Sequence, residues 1–357
     1  MRPNLTAIAD WCRSFTTMHG IDSIRCTQVL SKQPRSLNLP RQASIGYWLL
    51  SLVATIAMTQ AHADGVTVAP AEFTRPVSVR NAALGSDIVV TITPRVAGAI
   101  HSITWNGREF IDSFDHGRQL QSAVNFDAGS RFYPETFNPT EAGSRNDGRG
   151  ARSTSRLLKL QYGRNWIETR TQMAFWLAPG QSSNGALAKN TELCSQHVLN
   201  RRVTIGFRGL DHVLEYETTF NVPASEGHQY AQFEAVTGYM PPEFSVFWKL
   251  NLVTGRGERL SDGPGEQALP VILSTPEGSH AMGVYSPDQP SIGYEQAGYG
   301  RWRFSAQRVT KWNCVFRVRK SDGIRPGDYR FRSFVVIGDL RTVVNTLSKL
   351  HRLLRAP

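Results

Sequence analysis

Residues 98–110 read GAIHSITWNGREF. The run from Ala99 to Trp105 has strand-type alternation, and Asn106-Gly107 follows it directly. Asn and Gly both tolerate positive φ, so this dipeptide predicts a two-residue hairpin turn, with Arg108 to Ile111 as the returning strand. The same grammar extends both ways. Residues 87–93 (DIVVTIT) are β-branched and stop at Pro94. After the hairpin, strands are predicted over 157–162, 166–177, 202–207, 213–222, 230–239, 244–254, 271–274, 281–285, 301–304, 313–319 and 329–338. Gly, Pro and Asn-rich turns separate them. So many short strands predict an all-β fold, a large antiparallel β-sandwich.

One segment has a helical period. In residues 339–354, DLRTVVNTLSKLHRLL, the side chains of Leu340, Val343, Val344, Leu347, Leu350 and Leu354 share one face. Asp339 is a suitable N-cap. This C-terminal amphipathic helix is expected to pack on the sheet. Residues 178–190, PGQSSNGALAKN with its preceding Ala, are expected to be an insertion loop between strands.

Between the hairpin and the next strands lies a different kind of sequence. Residues 112–156 are polar and Gly-punctuated, yet contain Phe114, Phe126, Phe132, Tyr133 and Phe137. They also concentrate Asp112, Asp115, His116, Arg118, Glu135, Glu141, Arg145 and Asp147. A disordered linker rarely holds five aromatics, so the block predicts long ordered loops that carry a site on the sheet scaffold.

The chain has 357 residues and a net charge of +11. The first 63 residues hold six of the basic groups and two of the acidic ones; the other 34 and 27 leave +7. That charge is scattered and fits solubility as well as a polyanionic partner. Residues 45–58 form an apolar run of signal-peptide length, preceded by Arg41 and followed by Ala61-His62-Ala63. Export with cleavage after Ala63 is expected. The organisation is then an N-terminal extension with signal peptide over 1–63 and a single β-sandwich domain over 64–357. The 44 residues before the apolar run lack periodicity, which suggests a true start further downstream; an uncleaved anchor is the alternative. No stable membrane span is expected after cleavage. Cys12 and Cys26 fall in the leader, leaving Cys194 and Cys314 either bridged or as two buried thiols.

The segment 98–110, with its small-residue turn and N-G-x-E ending, resembles the opening of galactose mutarotase-like β-sandwich proteins. The segment 327–344, GDYRFRSFVVIGDLRTVV, resembles the closing strand and helix of that fold. The resemblance implies a supersandwich acting on carbohydrate. Members include sugar epimerases, polysaccharide lyases and accessory domains of glycoside hydrolases, so the site must decide the activity. The N-H-x-Y-F stretch of aldose epimerases has no counterpart here.

Two carboxyl groups, one kept protonated, suit glycoside hydrolysis. Glu141, in the turn NPTEAGS, and Glu234 are candidates for that pair. A lyase needs a base, His116 or Tyr230, and a cation such as Arg118 or Arg145 to hold a uronate carboxylate. Asp115 completes the expected catalytic set of Asp115, His116, Glu141, Tyr230 and Glu234. Arg118, Arg145, His228 and Tyr239 are expected to bind substrate. Alternation places His228, Tyr230 and Glu234 on one strand face. Among Trp105, Trp176, Trp248, Trp302 and Trp312, one or two are expected to stack on sugar rings. No metal motif such as H-E-x-x-H is present, and no cofactor is expected; a Ca²⁺ or Zn²⁺ site built from His116, His228 and carboxylates is the alternative, with Ca²⁺ the ion kept. The expected partner is a polysaccharide or glycan, and nucleic acid is not expected. A non-catalytic glycan-binding or envelope protein is the alternative.

Overall fold

The structure, a computed structural model, describes residues 65–355; the expected leader and its cleavage site lie outside them. Every strand pairing is antiparallel, and the strands form two layers. One layer runs, in spatial order, Val66–Val68, Arg156–Tyr162, Trp166–Phe175, Cys194–Phe207, Leu210–Val222, Gly327–Gly338, Ala281–Tyr285, Val271–Ser274, Val246–Asn251 and Arg256–Arg259. The other runs Val77–Ala83, Ser86–Ile92, Ile100–Trp105, Leu120–Phe126, Tyr230–Met240, Val309–Arg319, Tyr299–Phe304 and Gly265–Gln267. The short strand Pro139–Thr140 pairs with Leu120–Phe126 and with Trp166–Phe175, joining the layers. This is the antiparallel supersandwich with a C-terminal helix that the resemblance implies.

The predicted hairpin is present. Asn106 and Gly107 have φ of 49° and 72°, and Thr104 pairs with Glu109. Inward residues of both layers, including Val90, Ile103, Val124, Phe233, Leu199, Val203 and Val335, make one continuous core. The helix Leu340–Arg355 packs Val343, Leu347 and Leu350 against Ile272, Ala281 and Val336. Asp339 caps it as expected, its Oδ1 accepting the Thr342 N–H at 2.9 Å. Among the described residues no helix is long and apolar enough to cross a membrane.

One expectation is corrected and one open alternative is resolved. Residues 112–156 are not loops throughout: Leu120–Phe126 is a strand in the middle of its layer, buried at all seven positions. Its Gln121, Ser122 and Asn125 made it look like a loop, because a strand with polar groups on a covered face loses the alternation of a half-exposed one. Of the two alternatives for Cys194 and Cys314, the structure shows free thiols, Cys194 half-buried and Cys314 buried. Cys194 lies opposite Ala174 in one layer, whereas Cys314 lies opposite Val236 and Tyr299 in the other.

Gly238 faces Trp312 across the ladder. A Cβ there would lie 2.6 Å from the indole ring. Gly238→Ala is therefore expected to destabilise the chain by about 1–3 kcal/mol through overpacking. The shift of the urea midpoint measures this, and an unchanged midpoint would show that the indole yields freely.

Candidate active site

The outer face of the second layer carries a cleft. Gln121, Ala123 and Asn125 point into it from Leu120–Phe126, obeying the two-residue period. The neighbouring strand Tyr230–Met240 contributes Gln232 and Glu234, then Thr237 and Tyr239. That change from even to odd positions comes from a bulge: the register against Val309–Arg319 shifts between Glu234 and Val236. One extra residue re-aims the rest of the strand, so four polar side chains face one cleft where a regular strand would divide them between faces. Lys311 rises from the next strand, while Glu135 and Trp176 cover the cleft from connecting segments. The space measures about 510 Å³ including its open mouth.

The two glutamates have opposite surroundings. Glu135 is fully buried, and burial pushes its carboxyl up to about 8. A 2.6 Å hydrogen bond donated by Ser183 Oγ to Oε2, and the charges of Lys311 and Arg145, oppose that rise without cancelling it. Oε1 is buried without a hydrogen bond. The Glu135 backbone sits at φ 68°, a left-handed conformation that costs a non-glycine residue roughly 1–3 kcal/mol and recurs at functional sites. The Asn125 side chain steadies it by accepting the Glu135 N–H at 2.8 Å. Glu234, by contrast, forms an ion pair with Lys311 at 3.2 Å. Burial alone would lower the Lys311 ammonium, but Glu234 and Tyr239 outweigh it and hold it above its ordinary value. Burial likewise raises the Tyr239 hydroxyl, against the pull of Lys311.

Of the expected catalytic and substrate-binding residues, Glu234 and Tyr239 line the cleft, together with Trp176 from the tryptophans expected to stack on sugar. Arg145 lies close enough to act on Glu135 electrostatically. Tyr230 stands beside them, its hydroxyl accepting from Gln232 Nε2 at 2.7 Å. The others are engaged elsewhere. Glu141 is in the core with no exposed surface, 2.6 Å from Arg201, and accepts the Ser122 N–H. A substrate cannot reach it, which corrects the expected pairing with Glu234. Both ring nitrogens of His116 lie 2.8 Å from backbone carbonyls, of Gly148 and Arg95, so the ring serves as a loop staple. Asp115 and Arg118 pair with each other at 3.1 Å, and Arg118 also meets Asp112. His228 points away from Glu234, stacking on Phe126 with centroids 4.1 Å apart. It precedes the strand, so the expected alternation from 228 does not apply. Asp147 builds the turn 144–154, accepting from Ser144 and Thr154, and is not arranged as a calcium loop.

Glu135 was visible only as one of six carboxylates in its block, and Lys311 carried no signal at all. The insertion 178–190 contributes through Ser183.

No family profile matches the chain, and no curated protein matches it. Among solved structures it is similar to the Slr1438 protein of Synechocystis sp. PCC 6803, at 10% identity and a TM-score of 0.39, over 74% of this chain and 96% of that one. It is similar also to an alpha-mannosidase from Enterococcus faecalis V583 (10% identity, TM-score 0.42), covering 75% of this chain and 30% of that one. A third similarity is to the GH36 alpha-galactosidase AgaB of Geobacillus stearothermophilus (9% identity, TM-score 0.39), covering 74% and 40%. The chain thus spans less than half the length of these two glycosidases.

Proposed function

We propose that this protein is an exported carbohydrate-active enzyme that cleaves glycosidic bonds of a polysaccharide or glycan in the cleft. Glu135 is the proton donor and Glu234 the carboxylate partner. The observation that carries this reading is the pair itself: a desolvated carboxyl pushed up to about 8 shares a cleft with one that is ion-paired to Lys311. Glycoside cleavage needs one carboxyl that still holds its proton at neutral pH and one that does not. The amides of Gln121, Asn125 and Gln232 suit sugar hydroxyls, and Trp176 offers a stacking face. A neutral acid at Glu135 favours hydrolysis over elimination. For a lyase, Tyr239 would be the base, with Lys311 and Arg145 holding a uronate.

The test uses the chain from Asp64, screened against neutral and acidic polysaccharides for reducing ends and unsaturated-uronate absorbance. Reducing ends alone support the hydrolase, and both signals support a lyase. Silence with retained binding to one polymer would replace the enzyme with a glycan-binding protein. On an active substrate, Glu135→Gln and Glu234→Gln should each lower turnover by roughly 10²–10⁴-fold. Glu141→Gln should leave kcat per folded molecule near that of the parent. Export rests on the apolar run 45–58 and the A-x-A pattern. Mass spectrometry of the native protein should find Asp64 at its N terminus, and an intact Met1 would end that part of the reading.

A further inference from the structure

Away from the cleft, three side chains converge on one point. His197 lies on Cys194–Phe207, while Glu226 and His228 lie in the connection between Leu210–Val222 and Tyr230–Met240. The Nε2 atoms of both rings approach the same Glu226 Oε2, at 2.7 and 2.9 Å. All three donor atoms lie within 4.8 Å of one another. Both rings are buried and fixed by stacking on Phe126, whereas the Glu226 side chain is 18% exposed.

Protons alone satisfy this arrangement poorly. If each Nε2–H donates to Glu226, each Nδ1 becomes a buried lone pair. The His197 Nδ1 then has no partner. The His228 Nδ1 faces Asp127 Oδ1 at 3.7 Å, acceptor against acceptor. Moving the proton to Nδ1 turns the Asp127 contact favourable and frees the Nε2 lone pair for another occupant. A carboxylate behind the outer nitrogen of a ligating histidine is the usual support of such a ligand. Asp127 is itself held, both its oxygens accepting the Gln229 N–H at 3.1 Å.

We propose that His197 Nε2, His228 Nε2 and Glu226 Oε2 form a Zn²⁺ site, with Asp127 as the positioning residue behind His228. Two imidazoles and one carboxylate suit Zn²⁺, whereas Ca²⁺ takes oxygen donors. A tetrahedral centre with bonds of about 2.0–2.2 Å needs ligands roughly 3.3–3.5 Å apart, so Glu226 Oε2 must draw back slightly from both ring nitrogens, at 2.7 and 2.9 Å, while the donors stay within the 4.8 Å they now span. Three protein donors leave the fourth position to water. The ion joins a strand of one layer to the connection that crosses to the other, clamping that end of the sandwich. It takes no part in the chemistry assigned to Glu135 and Glu234.

Tag-free protein, stripped with chelator and dialysed against buffered Zn²⁺, should retain one zinc per chain and melt at a higher temperature than the stripped form. Co²⁺ in its place should give the intense visible bands of a tetrahedral centre, a readout that needs no variant. His197→Gln and His228→Gln should abolish retention, and Asp127→Asn should weaken Zn²⁺ binding by roughly 10–100-fold. No retained zinc and only weak octahedral Co²⁺ absorption in the unmodified protein would overturn the site, leaving a hydrogen-bonded clamp. Equal zinc uptake by the folded histidine variants would overturn it as well.

Discussion

Arg201→Met is expected to destabilise the protein by about 3–5 kcal/mol, because it strands a carboxyl in the core. Arg201 and Glu141 have no exposed side-chain surface and lie 2.6 Å apart, as a charge contact rather than an aligned hydrogen bond. Arg201 Nη2 also donates to the Gly98 carbonyl at 2.7 Å, tying the strand Cys194–Phe207 to the start of the Asn106-Gly107 hairpin. Burial pushes the Glu141 carboxyl up, and the Arg201 charge and the Ser122 N–H oppose that rise. Without Arg201, Glu141 takes up a proton, and the loss appears as reduced stability. The double variant Arg201→Met/Glu141→Leu should recover most of it, since an apolar pair of similar size often replaces a buried ion pair at little cost. A double-mutant cycle in urea gives the coupling directly. A cost below about 1 kcal/mol for the single variant would mean that the pair does not hold the turn 139–144.

The second large effect depends on pH. Folded Glu135 keeps its proton up to about 8, whereas the unfolded carboxyl releases it near 4.5. Between those values the folded chain binds more protons than the unfolded one, so this group's contribution falls as pH rises. It is fully present below pH 4.5 and lost progressively up to pH 8, at a slope of up to about 1.4 kcal/mol per pH unit. Glu135→Gln removes the titration. Its urea midpoint should therefore gain on the parent steadily from pH 5 to pH 8, in roughly the order of that slope. Parallel profiles for the two proteins would mean that Glu135 ionises near its ordinary value and is not the neutral acid of the cleft. An active substrate adds a further check: turnover should decline as pH rises through the same upper limit.

Much of the scaffold could be read from neighbouring residues. Asn106-Gly107 specifies its turn because both positions need positive φ, and the helix Leu340–Arg355 follows from apolar spacing and the Asp339 cap. The strands flanked by Gly and Pro turns were legible for the same reason: alternation and backbone preference are local properties. Leu120–Phe126 escaped because its polar residues face a covered cleft, so its pattern depends on a partner surface more than a hundred residues away. The site depends on tertiary structure still more heavily. A bulge after Glu234 brings Tyr239 onto the same face, and Lys311 arrives by strand pairing. Glu135 and Glu141 look alike as acidic residues in one polar block. Packing alone separates them, giving Glu141 an arginine in the core and leaving Glu135 desolvated beside the cleft. Chain-local energetics determined that this protein builds an antiparallel sandwich closed by a helix. Which carboxyl keeps its proton was decided only by burial and by the charges that the fold brings near.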